Sequence, residues 1–191
     1  MTQVANQSVT MVPAASQNVV AIRSIELAQK LLGLRKGANF CTIETRTEPA
    51  IKKGSGRGLP PANPFYGNCF KRARVNGAIQ FDYESNVNAQ RDREGKEGDF
   101  VAKAPTWGTR IDNSCIVEYE GEYYFYFRPL KSLGYTYEDS KGNQLNTEEV
   151  NTWLPPRKES NQELDKEIIV RKYKLSNILA ITLDGVEYRV V

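Results

Sequence analysis

Apolar and polar positions alternate with a period of two along much of the chain, which predicts strands with one buried face. In Ala38 to Thr47 (ANFCTIETRT), Phe40, Thr42, Glu44 and Arg46 fall on one side, and Cys41, Ile43, Thr45 and Thr47 on the other. Similar runs span Cys69 to Val75 and Ala78 to Tyr83, separated by Asn76-Gly77. Asn-Gly between two such runs predicts a tight hairpin, because both turn positions favour positive φ. Ile116 to Phe127 predicts a second hairpin around Glu120-Gly121, with Tyr124 and Tyr126 on one face and Tyr123, Phe125 and Phe127 on the other. Tyr135 to Leu145 predicts a third with a Lys141-Gly142-Asn143 tip, and Asn177 to Val191 a last one around Asp184-Gly185. Asp99 to Ala104 and Glu167 to Leu175 read as further strands.

Helical spacing occurs twice. Ile25, Leu27, Ala28, Leu31 and Leu32 recur at helix period behind a Ser24 cap, with Glu26 in the first turn and Gly33 as the stop. Asn146 with Glu149 three residues on resembles a capping box, and Pro155-Pro156 ends that short helix. The polar stretch 84–98 reads as a loop or frayed helix, and 157–166 as a solvated linker. Residues 1–20 read as a flexible tail, leaving 21–191 as a single β-rich domain. Many short strands with hairpin turns and two short helices predict a mostly β (β-rich α+β) fold: a small antiparallel barrel or sandwich. Strands and helices do not alternate regularly, which argues against a parallel α/β enzyme.

Composition narrows the chemistry. The 191 residues contain no histidine, which removes Ser-His-Asp and Cys-His catalysis and histidine-ligated zinc. Cys41, Cys69 and Cys115 are far apart and odd in number, so they read as small buried side chains in a reducing, cytoplasmic protein. No apolar run approaches the length of a membrane span, and the N-terminus lacks a signal-peptide pattern. Net charge is only +3, but it is unevenly spread. From Arg35 to Arg74 nine Lys/Arg face only Glu44 and Glu48, a local +7, whereas Glu118 to Glu167 carries −5. Such separation creates a local positive field unless folding interleaves the two signs.

The +7 region centres on Lys52 to Lys71 (KKGSGRGLPPANPFYGNCFK), a Gly/Pro-rich basic loop between predicted strands. Lys52 to Gly58 reads as a mobile arm, and the Pro/aromatic part as stiffer. Gly54-x-Gly56-x-Gly58 is neither a Walker loop nor a dinucleotide fingerprint, so no cofactor is expected. Lys52, Lys53, Arg57, Lys71, Arg72 and Arg74 supply candidate phosphate contacts. Phe65, Tyr66, Phe70 and Trp107 supply faces for base stacking. Single-strand binding needs both features together. In Cys69 to Val75 the alternation puts Phe70, Arg72 and Arg74 on one face. The competing expectation is that these aromatics cap the core while the bases are solvated.

With this loop on a β scaffold, the build resembles oligonucleotide-binding (OB-like) barrels in outline, a likeness of architecture and charge. It implies a non-catalytic protein that binds single-stranded nucleic acid, DNA favoured over RNA, with no metal and no membrane. Two alternatives stay open. One is a viral or mobile-element assembly or inhibitor protein acting by protein contact, with the aromatic hairpin 116–127 as a homo-oligomer surface. The other is a metal-dependent nuclease using Asp82 with Glu94-Gly95-Lys96, a D…(D/E)-x-K pattern that is frequent by chance.

Overall fold

The computed structural model describes residues 18–35, 39–55, 57, 62–81, 91–92, 94–98, 109–111, 114–155 and 171–191. The 1–17 part of the tail, Asp82, residues 84–90 of the polar stretch, the 99–104 strand, Trp107 and the 157–166 linker lie outside the described residues.

In chain order the elements are β1 (Asn18–Ile22), α1 (Ser24–Leu32), β2 (Asn39–Thr47), β3 (Phe70–Gln80), β4 (Thr109–Arg110), β5 (Ile116–Tyr119), β6 (Glu122–Glu138), β7 (Gln144–Leu145), α2 (Thr147–Thr152), β8 (Arg171–Lys174), a 3-10 turn at Leu175–Asn177, β9 (Ile178–Leu183) and β10 (Val186–Val190). One sheet runs β1-β10-β9-β2-β3-β6-β5-β4, with β7 and β8 also paired to β6. The chain is mostly β, as the alternation predicts. The sheet is open, so the expected closed barrel is not formed. Its apolar face is covered instead by α1, whose Leu27 and Leu31 pack with Ile43, Ile79, Phe125, Phe127 and Ile181 in the main core. β1 pairs parallel to β10, so residues 18–20 are strand and not tail.

α1 matches its predicted span, but its cap is Arg23 and not Ser24. The Glu26 carboxylate accepts from the Arg23 backbone N–H at 2.8 Å and from its guanidinium, so the acid secures the first turn. α2 forms where Asn146 caps it, its side chain accepting from the backbone of Glu148 and Glu149. The hairpins at Glu120-Gly121 and Asp184-Gly185 form with positive φ at both turn residues, as their chemistry requires. β6 and β7 form the third.

The Asn76-Gly77 hairpin does not form. β3 runs straight through it as one eleven-residue strand. The glycine is needed there for a different reason: a Cβ on Gly77 would fall on the Arg128 carbonyl oxygen and the Phe127 ring. Gly77 is thus a close-approach glycine within a strand. Asn76 accepts from the Thr42 hydroxyl across the sheet.

Opposite β3, strand β6 carries two irregularities. The pairing skips Leu130 between Asn76/Lys131 and Gly77/Pro129, and slips again between Ala73/Tyr135 and Val75/Ser132. Each inserted residue bends the strand and flips its facing, and the second restores what the first reversed. β5 and β8 both pair with Tyr124 and Phe125, so they take opposite edges of β6. By the same logic β7 lies opposite β3, on the β8 edge. Between β8 and β7, residues 128–136 of β6 form an edge with no strand partner among the described residues.

A second, smaller core joins Phe65, Cys69, Tyr137, Val150 and Trp153, and ties the basic loop to α2.

Candidate nucleic-acid interface

The alternation along β2 and β3 sorts the basic residues onto two faces. On the outer face, cross-strand neighbours are Glu44 with Arg74 and Arg46 with Arg72. Phe70, Arg72 and Arg74 do share this face, but their charge is met there. Arg72 pairs with Glu44 and, at 3.9 Å, with Glu138. Arg46 pairs with the same Glu138 and lies flat on the Phe70 ring, 3.7 Å from its centroid. Arg74 and Arg189 converge on Glu187, which is only 5% exposed. Four arginines therefore interlock with three glutamates, and both faces of stacking chemistry that Phe70 could offer are reduced to what Arg46 leaves open. Two guanidinium groups thus flank the buried Glu187 carboxylate and compensate its loss of water.

The loop residues are dispersed. The Lys52 backbone N–H donates to the Trp153 carbonyl at 2.9 Å, and its own carbonyl accepts from the Asn63 side chain. Asn63 also accepts from the Phe65 N–H at 2.8 Å. The arm is thus pinned at Lys52 and not mobile from its first residue. Phe65 is buried in the second core. Tyr66 is 50% exposed, with the Lys53 ammonium 5.2 Å from its ring centroid. Arg57 is exposed. No groove among the described residues is lined by Lys52, Lys53, Arg57, Arg72 and Arg74 together.

A different groove, of about 730 Å³, opens on the inner face where the main core ends. The rows there are Thr47–Lys71–Tyr137, Thr45–Ala73–Tyr135 and Ile43–Val75–Ser132. Small side chains at Thr45, Ala73 and Val75 form the floor. The bent part of β6 supplies Lys131 and Tyr135, and β8 supplies Arg171, Lys172, Tyr173 and Lys174, with Tyr124 beside them. Five basic residues and three tyrosines line the groove, and no acidic residue does among the described residues. The Lys71 ammonium sits 4.1 Å from the Tyr135 centroid. That of Lys172 lies 4.0 Å from Tyr119 and 4.7 Å from Tyr124. Lys174 reaches out to Glu122 at 2.9 Å, and this hydrogen bond raises its pKa. Burial raises that of the Tyr173 phenol, whose ring stacks on Phe125. Such a groove offers a run of phosphate-binding cations beside ring faces of the size of a base.

Of the sequence-predicted residues that are described, only Lys71 lies in this groove. Tyr124, Lys131, Tyr135 and Arg171 to Lys174 were missed because they fall in or beside the segment of net negative charge. Among the described acids of that segment, Glu138 faces the outer arginines, Glu118, Glu120, Glu148 and Glu149 are exposed, and Glu122 meets Lys174. The usable signal was the alternating Arg-Lys-Tyr-Lys of β8, together with Pro129 and Gly134 interrupting an aromatic strand.

The other candidates are placed as follows. Glu94 and Lys96 pair with each other at 2.8 Å, and no cluster of three metal-ligating side chains occurs among the described residues. All three cysteines are buried free thiols, and desolvation pushes Cys41 and Cys115 up to about 12. In the aromatic hairpin Phe125, Tyr126 and Phe127 are buried, leaving Tyr123 half exposed. No helix among the described residues is long and apolar enough to cross a membrane. Compared with family models, curated proteins and solved structures, the chain matches none.

Proposed function

We propose that this chain is a non-catalytic protein that binds single-stranded nucleic acid, DNA in the first instance, along the inner groove between β3, the bent part of β6 and β8. One observation carries the reading: five cations and three tyrosines line one groove, with no acid among its described lining residues. Cations that track a backbone and rings that stack with bases are the two requirements of single-strand binding. The likeness to oligonucleotide-binding barrels is kept only as a curved, mostly antiparallel sheet with a basic groove. The buried free thiols support a reducing compartment such as the cytoplasm.

Titrating a labelled oligothymidylate at several salt concentrations tests the reading. If all five cations meet phosphates, the logarithm of the association constant falls with the logarithm of salt at a slope near −3.5, about −0.7 per contact. Absence of binding, or binding indifferent to salt, overturns it.

A second reading, assembly through protein contact, has one observation in its favour. Ile25 and Leu32 of α1 are exposed beside Tyr123 and line an apolar groove of about 600 Å³. The occupant in that reading is a second copy of the chain, meeting it at the 116–127 hairpin. Sedimentation of wild type against Tyr123→Glu decides it: a monomer at all concentrations sinks it. The nuclease alternative is removed if the protein leaves single-stranded DNA intact in magnesium.

A further inference from the structure

We infer that the tyrosine faces of this groove are base-stacking platforms held by the protein's own lysines until a base-bearing strand takes their place. The inference rests on the nucleic-acid reading of the groove and deepens it: the ligand must carry planar bases as well as phosphates.

Two lysine–tyrosine contacts motivate it. Lys71 places its ammonium 4.1 Å from the Tyr135 centroid. Lys172 places its ammonium 4.0 Å from Tyr119 and 4.7 Å from Tyr124. The Tyr119 and Tyr124 rings are inclined by 64° with centroids 6.4 Å apart, so this ammonium sits against two ring faces at once. Tyr119 does not line the groove; it lies on β5, across β6 from β8, and carries the track of rings past the groove's edge. Tyr135 remains 44% exposed, so its ring is within reach of a ligand.

The physical consequence is an exchange. A cation over a ring is held by the ring's quadrupole, a contact that is modest in water-exposed surroundings. A base stacking on the same face cannot share it with the ammonium. In a nucleic-acid strand each base arrives joined to a phosphate, so the displaced lysine finds an anion beside the ring it has left. At each site the ammonium–ring contact then gives way to two new ones, the base on the ring and the ammonium on the phosphate. A polyanion without bases offers only half of this. It draws the lysine away and leaves the ring face to water. The groove therefore discriminates in favour of base-bearing strands over bare polyphosphate-like backbones, although its charge alone would attract both.

The test compares two probes on the full chain: a short oligothymidylate and an abasic phosphodiester of the same length and charge. The lysine ε-methylene signals are followed by NMR. The expected result is that the abasic strand binds at least about tenfold more weakly, the loss corresponding to one or more stacked bases. In the free protein the Lys71 and Lys172 signals are shielded by the ring currents of Tyr135 and of Tyr119 and Tyr124. Saturation with oligothymidylate moves them to the position of an ordinary solvated or phosphate-bound lysine. Tyr135→Leu releases the Lys71 signal without any ligand, which assigns the shielding to that ring. Equal affinity for the two probes overturns the inference while leaving backbone binding in the groove standing. Lysine signals that stay shielded at saturation overturn the exchange in the same way. Failure of both probes to bind overturns the inference together with the function it rests on.

Discussion

The two faces of β3 carry cations one residue apart, and the sheet treats them in opposite ways. Arg72 and Arg74 point to the outer face, where β2, β6 and β10 bring Glu44, Glu138 and Glu187 against them. Lys71 points to the inner face, where its neighbours are Thr47, Ala73 and Tyr135, and the nearest strand across the groove is the basic β8. The density of positive charge in the sequence is the same for both. What separates them is which strands become neighbours: three carboxylates meet the outer arginines, whereas the Lys71 ammonium lies against the Tyr135 ring. In the proposed function the outer face belongs to the scaffold and the inner face is the surface that meets the anion.

Breaking the strand that carries both faces has the largest expected effect. Gly77→Val drives a side chain into the Arg128 carbonyl and the Phe127 ring, neither of which can move without disturbing β6. Overpacking of this kind costs about 3 kcal/mol, and more where backbone is the obstacle. Urea unfolding of the variant reads the loss directly. A Gly77→Val protein as stable as wild type would mean that β3 turns at Asn76-Gly77 after all, and both faces would have to be redrawn.

The outer face is next. Glu187→Gln leaves Arg74 and Arg189 facing a neutral amide, at a site whose side chain is 6% exposed. The expected loss of stability is about 1–3 kcal/mol, the cost of weakening a buried charge-assisted pair, with oligonucleotide affinity unchanged or slightly raised. The inner face predicts the reverse pattern. The double variant Lys131→Gln/Arg171→Gln removes two exposed groove cations, so its stability stays within about 0.5 kcal/mol of wild type. Its affinity for oligothymidylate falls, and the salt slope becomes shallower by about 1.4, at −0.7 per phosphate contact. If that slope is unchanged, the groove is not the path of the backbone.

Local rules were enough for much of the fold. The period-two runs, the helix from Ser24 to Leu32, the cap at Asn146 and the Glu120-Gly121 and Asp184-Gly185 turns are all decided by neighbours in sequence. Three features were not. Asn76-Gly77 has the composition of a turn, but Gly77 is specified by the Phe127 ring and Arg128 carbonyl, about fifty positions away. The openness of the sheet depends on α1 covering the apolar face, which alternation cannot register. The groove depends on two bulges in β6 and on β8 pairing across from β3, so its cations at 71, 131, 171, 172 and 174 come from three distant segments. Summing charge along the chain pointed to the loop and to the outer face because it could not see Glu44, Glu138 and Glu187 crossing over to meet the arginines.

The sharpest test of the comparison is the one with the smallest expected effect. Arg72→Gln removes a cation that a reading by charge density alone ranks among the principal phosphate contacts. Its guanidinium is engaged by Glu44 and approaches Glu138, while Glu138 keeps its pairing with Arg46. Loss of Arg72 therefore strands only Glu44, whose side chain is 13% exposed, at a cost of about 1 kcal/mol in stability. Because this residue faces away from the groove, affinity for oligothymidylate should change by less than about twofold, and the salt slope should not change at all. Lys71 is its neighbour in the chain, and Lys71→Gln should shift both quantities. A drop in affinity for Arg72→Gln equal to that for Lys71→Gln would place the strand on the outer face, or across the edge of the sheet onto both. Unequal effects from adjacent residues can arise only if the strand lies along one side of β3.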